Sequence, residues 1–364
     1  MIALVLHEFH RSLDARFTEV NGVEAVDHYG EPLVEHAALR NVAGVIDLSF
    51  RGRLCLTGND RQKFLNGQVT NNVKDLAVGE GCYAALVTAK GKMQSDLNIY
   101  CLADELLLDF EPGLPGAVTQ RLEKYIIADD VQVVDVASHY GLWSVQGPKA
   151  DEVVLRLHLG LELPAKRMSF VSVPDDTLGE VYLMRQPRLG TQGFDLFVPN
   201  TALDGLAARL VAAVQAVGGR VCGWQALEMA RIEAGLPRFG ADMDEANLPS
   251  EAGLDERAVS YTKGCYIGQE VIARLRTYGQ VARALRGLRL ADHLPELPVK
   301  GDKLFKDGKE AGFITSSLFS PALQCNIALG YVRREANQIG TVLFLRTAQG
   351  ESPVKIVSLP FRRD

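Results

Sequence analysis

Residues 53–58 read RLCLTG, and the two segments just after them decide the fold: a polar turn at Asn59 and Asp60, then FLNGQV at 64–69. The first run has the short, apolar look of a strand, and the Asn-Asp pair is a start signal for a helix through FLNGQV. Further strand-like runs come next, CYAALVT at 82–88, MQSDLNIYC at 93–101 and ELLLDF at 105–110, then a helical AVTQRLEKYII at 117–127 and a strand VQVVDVA at 131–137. The order is strand, helix, strands, helix, strand. A second pass opens with GLWSVQG at 141–147 and continues through a helical PKADEVVLRLH at 148–158, strands EVYLMRQ at 180–186 and GFDLFVP at 193–199, and a long helix TALDGLAARLVAAVQAV at 201–217. Gly58 and Gly147 hold the same place in the two passes. The chain is therefore expected to be α+β, with duplicated ferredoxin-like βαβ units.

From about Ala284 the character changes to short β-rich runs with a hairpin signal at Lys306-Asp307-Gly308-Lys309. That tail reads as a small antiparallel β-barrel. At 364 residues, 47% hydrophobic and 23% charged, the chain is long enough for more than one buried core. A net charge of −6 excludes a generally basic, nucleic-acid-coating protein. The six cysteines contain no CxxC pair, so no local zinc or iron–sulfur cage is encoded and no metal site is expected. The opening MIALVLHEFH lacks a basic segment ahead of its apolar run, and no stretch approaches ~18 apolar residues. These features predict a cytoplasmic protein with reduced thiols and no membrane partner. A loose GxGxxA at 79–84 leads into a strand instead of opening a helix, which removes a dinucleotide fingerprint.

Between the second pass and the tail lie CGWQALEMARIEAGL at 222–236 and TKGCYIGQEVIARLRTYGQ at 262–280. In the latter, Lys263, Gly264, Cys265, Tyr266, Gly268, Gln269 and Glu270 set a thiol between glycines, beside an aromatic and close to a cation. Such a cysteine is either a reactive thiol or a small buried hydrophobe. KGCYIGQE resembles the signature of the YgfZ family, folate-binding proteins tied to iron–sulfur cluster maturation and repair, which share a fold with the glycine-cleavage T-protein. ARIEAGLPRFGADM at 230–243, LPSEAGL at 248–254 and GVIDLSFRGRLCLTGNDRQKFLNGQVT at 44–70 look like the same superfamily's helix, loop and N-terminal region.

The resemblance implies three domains around a central folate cleft. Their boundaries are expected at 1–50 plus 138–275 for one ferredoxin-like domain with the central helix and cysteine loop, 51–137 for the other, and 276–364 for the barrel. It implies a tetrahydrofolate-binding accessory protein, using tetrahydrofolate or a one-carbon derivative, that supports iron–sulfur cluster assembly or repair, including in tRNA-modifying enzymes. Its partners would be iron–sulfur enzymes or assembly factors, with possible tRNA contact. One rival is a folate-dependent aminomethyltransferase of glycine cleavage, whose family has paired aspartates where this chain has Ser95-Asp96; the missing first carboxylate weighs against that catalysis. Another is an RNA-binding module.

Four residues suit a folate site. Strand alternation sets Asp96 on the face opposite Met93, Ser95, Leu97, Ile99 and Cys101, lining either a polar cleft or a solvated surface. Asp195 lies opposite Phe194, Leu196 and Val198, where the related family carries a pterin-binding glutamate, or is a simple exposed aspartate. Arg231 shares the stripe of Leu227 and Trp224, and is either a folate ligand or a partner of Glu228. Tyr83 is a stacking wall or a core residue. From 263 to 289 the chain also carries six cations, Lys263, Arg274, Arg276, Arg283, Arg286 and Arg289, against the single acid Glu270, a candidate seat for a folate's glutamate tail.

Overall fold

Gly58 and Gly147 both adopt positive φ, +96° and +123°, immediately after a strand. A Cβ at Gly58 would stand 2.1 Å from the Asp130 carbonyl oxygen, and one at Gly147 2.8 Å from that of Leu39, so only glycine allows either turn. This local equivalence carries the duplication into a computed structural model that describes residues 2–279, 281–347 and 350–362. The chain divides into two units, Met1–Ala84 with Ser95–Ala230, and Ala85–Gln94 with Arg231–Asp364.

Besides the antiparallel pair Arg16–Val20 and Val23–His28, two larger sheets lie mainly in the first unit. One has five strands in the order Gly81–Val87, Met93–Cys101, Leu106–Phe110, Gly52–Thr57 and Gln132–Asp135. Helices Arg61–Gln68 and Pro115–Glu123 fall where the two helical signals stood. The other sheet has six strands in the order Phe170–Asp175, Gly179–Arg185, Gly193–Pro199, Tyr140–Gln146, Gly44–Asp47 and Arg220–Val221. Gly44–Asp47 comes from before the first repeat and pairs antiparallel with Tyr140–Gln146 and parallel with Arg220–Val221. Apolar alternation gives this sheet a core face: Val45, Trp143, Val145, Phe194, Leu196 and Val198 pack with Leu203, Leu206 and Leu210 of helix Leu203–Ala216. Phe197, one residue out of phase, joins a separate core with Tyr100, Leu107, Met184 and Phe170, as a period of two requires. The helix expected through 158 is confined to Ala150–Leu155, and His158 just beyond it has φ of +54°.

The second unit contains a closed antiparallel barrel in the order Arg283–Leu290, Cys325–Arg333, Lys309–Ser320, Lys303–Lys306, Val342–Thr347 and Gly350–Val357, with the last strand pairing back to the first. The hairpin at Lys306 and Lys309 forms as expected, those residues facing each other across a two-residue turn. Leu288, Leu304, Ile314, Val332, Leu343, Leu345 and Ile356 fill the barrel interior.

Candidate functional site

In strand Met93–Cys101 the alternation expected from sequence is kept: Met93, Ser95, Leu97 and Ile99 are fully buried on one face. The other face is not uniformly polar. Tyr100 is fully buried among Phe170, Phe197 and Leu107, so its ring is core, and Asp96 and Asn98 bring polar groups to the middle of this face. Register sets their neighbours: Asn98 pairs with Asp109, and Arg53 pairs with Asp109 from the other side. One pleat further along the same face come Asp96, Glu111 and Arg51.

Side-chain contacts obey that lattice. Asn98 Nδ2 donates to Asp109 Oδ2 at 2.9 Å. Arg51 donates from Nε to Asp109 Oδ1 at 2.7 Å and from Nη1 to Glu111 Oε1 at 2.5 Å. Arg188, in the turn before Gly193–Pro199, donates from Nη2 to Asp109 Oδ2 at 2.8 Å and to Asp195 Oδ2 at 2.6 Å. Its Nε reaches both Asp195 oxygens, at 3.1 and 3.0 Å, and Ser144 Oγ donates to Asp195 Oδ1 at 2.8 Å. Burial pushes the Asp109 carboxyl up, but Arg51 and Arg188 together hold it well below the usual carboxylate range. At Asp195 burial dominates and moves the carboxyl up against the pull of Arg188.

Asp96 is the carboxylate this lattice leaves without a guanidinium bonded to it. Tyr83 donates its hydroxyl to Asp96 Oδ2 at 2.8 Å. Oδ1 is buried and has no hydrogen-bond partner among the described residues. Burial, then the charge of Glu111, raises Asp96 to about 6, against the opposing Tyr83 hydrogen bond and Arg51. An acid titrating there, with an unsatisfied acceptor, is equipped to take up and return a proton.

Several expectations change in this setting. Tyr83, expected as a stacking wall or a core residue, directs its hydroxyl to Asp96. Asp195 is fully buried, so the exposed-aspartate alternative falls, and its oxygens are occupied by Arg188 and Ser144. The missing carboxylate at Ser95 loses its weight: Ser95 is fully buried on the core face, so a side chain there does not share the surface of Asp96. Arg51, Asp109, Glu111 and Arg188 were missed from sequence; the only signal available was that Asp109 and Glu111 alternate at the end of an otherwise apolar strand.

Arg231 and the cysteine motif belong to the second unit. Arg231 is 7% exposed and donates from Nη1 to Asp242 Oδ2 at 2.6 Å, with Nη2 3.2 Å from Ser316 Oγ. The other Asp242 oxygen accepts from Thr315 and Ser316, both at 2.6 Å. The ion pair expected one turn back at Glu228 is therefore joined or replaced by a partner eleven residues ahead, Asp242. In the motif, Cys265 is exposed, which removes the buried-hydrophobe alternative. Lys263 is itself buried and holds its ammonium 5.0 Å from the Tyr266 ring centroid. Gly268 has φ of +84° where helix Gln269–Tyr278 begins, and a Cβ there would lie 2.5 Å from the Thr88 carbonyl oxygen. Glycine thus seats the motif against the turn at Thr88–Lys92.

The basic segment disperses. Arg283 lies 3.4 Å from Glu251 and donates to the Ala246 carbonyl, Arg286 donates to the Asn337 and Leu285 carbonyls, and Arg276 stacks 3.9 Å over Tyr261. It does not form one cationic seat. Among the described residues no group of three His, Cys, Asp or Glu side chains converges as for a metal ion, and no helix is long and apolar enough to cross a membrane.

Against known families, residues 6–263 match the GCVT N-terminal domain and residues 283–362 the glycine cleavage T-protein C-terminal barrel domain. The chain belongs to the glycine-cleavage T-protein family. It is 29% identical to the aminomethyltransferase of Symbiobacterium thermophilum, with 98% of this chain and 96% of that one covered, and 26% identical to that of Bacillus subtilis, with 98% of each covered. A putative chloroplastic transferase of Arabidopsis thaliana is 31% identical over 90% of this chain and 73% of its own. The crystal structure of glycine cleavage system aminomethyltransferase T from Bartonella henselae superposes with a TM-score of 0.88 at 25% identity, covering 99% of this chain and 98% of that one. These full-length similarities overturn the expectation of an accessory protein for iron–sulfur assembly or repair and favour the rival transferase reading. They give no support to iron–sulfur enzymes or tRNA as partners.

Proposed function

We propose that this protein is a folate-dependent aminomethyltransferase. The carrying observation is Asp96: a carboxyl raised to about 6, held by Tyr83 through one oxygen, with its other oxygen buried and without a hydrogen-bond partner among the described residues. An acceptor in that state fits an N–H of a reduced pterin, and Asp96 Oδ1 is the atom that would hold or pass a proton while an amine departs. Tetrahydrofolate, when bound, supplies the nitrogen nucleophile that takes the one-carbon unit. This chain's part is to orient that co-substrate and manage the proton.

Asp195 serves the site by fixing Arg188, and Arg231 is offered as a folate contact on the strength of the family resemblance. The segment at 263–270 supports placing the chain in the YgfZ-like branch of the family. Six free cysteines fit a reducing compartment, which supports a cytoplasmic setting.

The test mixes the protein with tetrahydrofolate and an aminomethylated carrier protein and measures ammonia and methylene-tetrahydrofolate. Both products are expected, and Asp96→Asn is expected to lower kcat by about 10²–10⁴-fold. Absence of ammonia release by the folded wild type would overturn the reading.

A further inference from the structure

We infer that Glu111 and Arg51 are positioning residues that set the charge of Asp96: Glu111 stands as a like-charged neighbour on the same sheet face, and Arg51 fixes it there. This rests on Asp96 being the proton-handling group proposed above. The geometry comes from strand register. Asn98 is opposite Asp109 and Arg53 is opposite Asp109, so the next pleat aligns Asp96, Glu111 and Arg51 across three strands. The contact of 2.5 Å between Arg51 and Glu111 shows that these two residues stay aligned past the last paired residues of their strands.

Arg51 is divided between two acids, with Nε on Asp109 at 2.7 Å and Nη1 on Glu111. It therefore fixes Glu111 in place without placing a hydrogen bond on Asp96. The side chains that act on Asp96, beside its own backbone N–H, are Tyr83 from Gly81–Val87, Glu111 just past the end of Leu106–Phe110, and Arg51 just ahead of Gly52–Thr57. Their influences differ in sign. Glu111 opposes ionisation of Asp96, whereas Arg51 and the Tyr83 hydroxyl favour it. Asp109, carrying two guanidiniums, stays anionic, so the lattice holds one carboxyl ready for a proton beside another that is locked without one.

The experiment titrates 13C-carboxyl-labelled aspartates by NMR, with the Asp96 resonance identified by its loss in Asp96→Asn. Glu111→Gln keeps an amide oxygen for Arg51 and is expected to lower the Asp96 midpoint by about one to two pH units. Arg51→Gln is expected to move it upward. A purely structural role would not give opposite signs. An unchanged midpoint in Glu111→Gln, or the same direction in both variants, overturns the inference. This readout does not use turnover. An active Asp96→Asn enzyme would defeat the catalytic reading while leaving the titration to decide the role of Glu111.

Discussion

Arg188 closes on Asp195 as a fork, with Nη2 at 2.6 Å and Nε within 3.1 Å of both carboxylate oxygens, and the same Nη2 spans to Asp109 at 2.8 Å. One guanidinium thus ties Gly193–Pro199 of the six-stranded sheet to Leu106–Phe110 of the five-stranded sheet. Both carboxylates are fully buried, so neither can recover its lost hydration if the cation is removed.

Arg188→Met is therefore expected to destabilise the protein by about 3–5 kcal/mol, since it leaves buried charge uncompensated. Urea unfolding should show a lower midpoint at an unchanged slope. Stability within error of wild type would show that the bridge contributes nothing net.

Asp96 should limit stability at high pH. Its folded value of about 6 lies above the ordinary aspartate value, so the folded state binds more protons than the unfolded chain between those two points. Stability then falls as pH rises from about 4 to about 6 and stays reduced above that. Asp96→Asn should gain about 1–2 kcal/mol at pH near 8, gain nothing at pH near 3, and lose activity. Denaturation at the two pH values checks the sign.

Gly268→Ala should be costly for a backbone reason. The new Cβ meets the Thr88 carbonyl oxygen at 2.5 Å in a conformation of positive φ. The expected loss is about 1–3 kcal/mol. Amide exchange should quicken at the turn Thr88–Lys92, where Gly91 and Lys92 donate to Thr88.

Cys265 should be the thiol that a maleimide reaches first in the native protein. Cys55, Cys101, Cys222 and Cys325 are buried and should label only on unfolding, with Cys82 between the two classes. Peptide mapping after brief labelling resolves the sites. Cys265→Ser should change stability by no more than about 0.5 kcal/mol, as an exposed side chain does.

Much of the architecture was legible in residues 53–137 and 141–217 because helix and strand periods are local. The hairpin at Lys306–Lys309 and the core-facing set from Met93 to Ile99 came from the same source. Gly58 and Gly147 marked the repeat because a backbone restriction leaves its trace in one residue type. The site was less legible. Asp96 could be placed on a face, but not beside Glu111, because register between strands is set by long-range pairing that has no period in sequence. Cys265 could be recognised as unusual, but its neighbours did not tell whether it was exposed.

Sequence by itself determined the order of elements, the duplication, the barrel and the face on which Asp96 sits, since each arises from steric and solvation preferences within a few consecutive residues. Tertiary structure alone decided which charges meet. Asp195 is paired with Arg188 and Arg231 with Asp242, while Asp96 has a hydroxyl on one oxygen and, among the described residues, no partner on the other. The physical reason is that a carboxylate's behaviour depends on the water it loses and the charges brought near it, and both are fixed by packing between segments far apart in the chain.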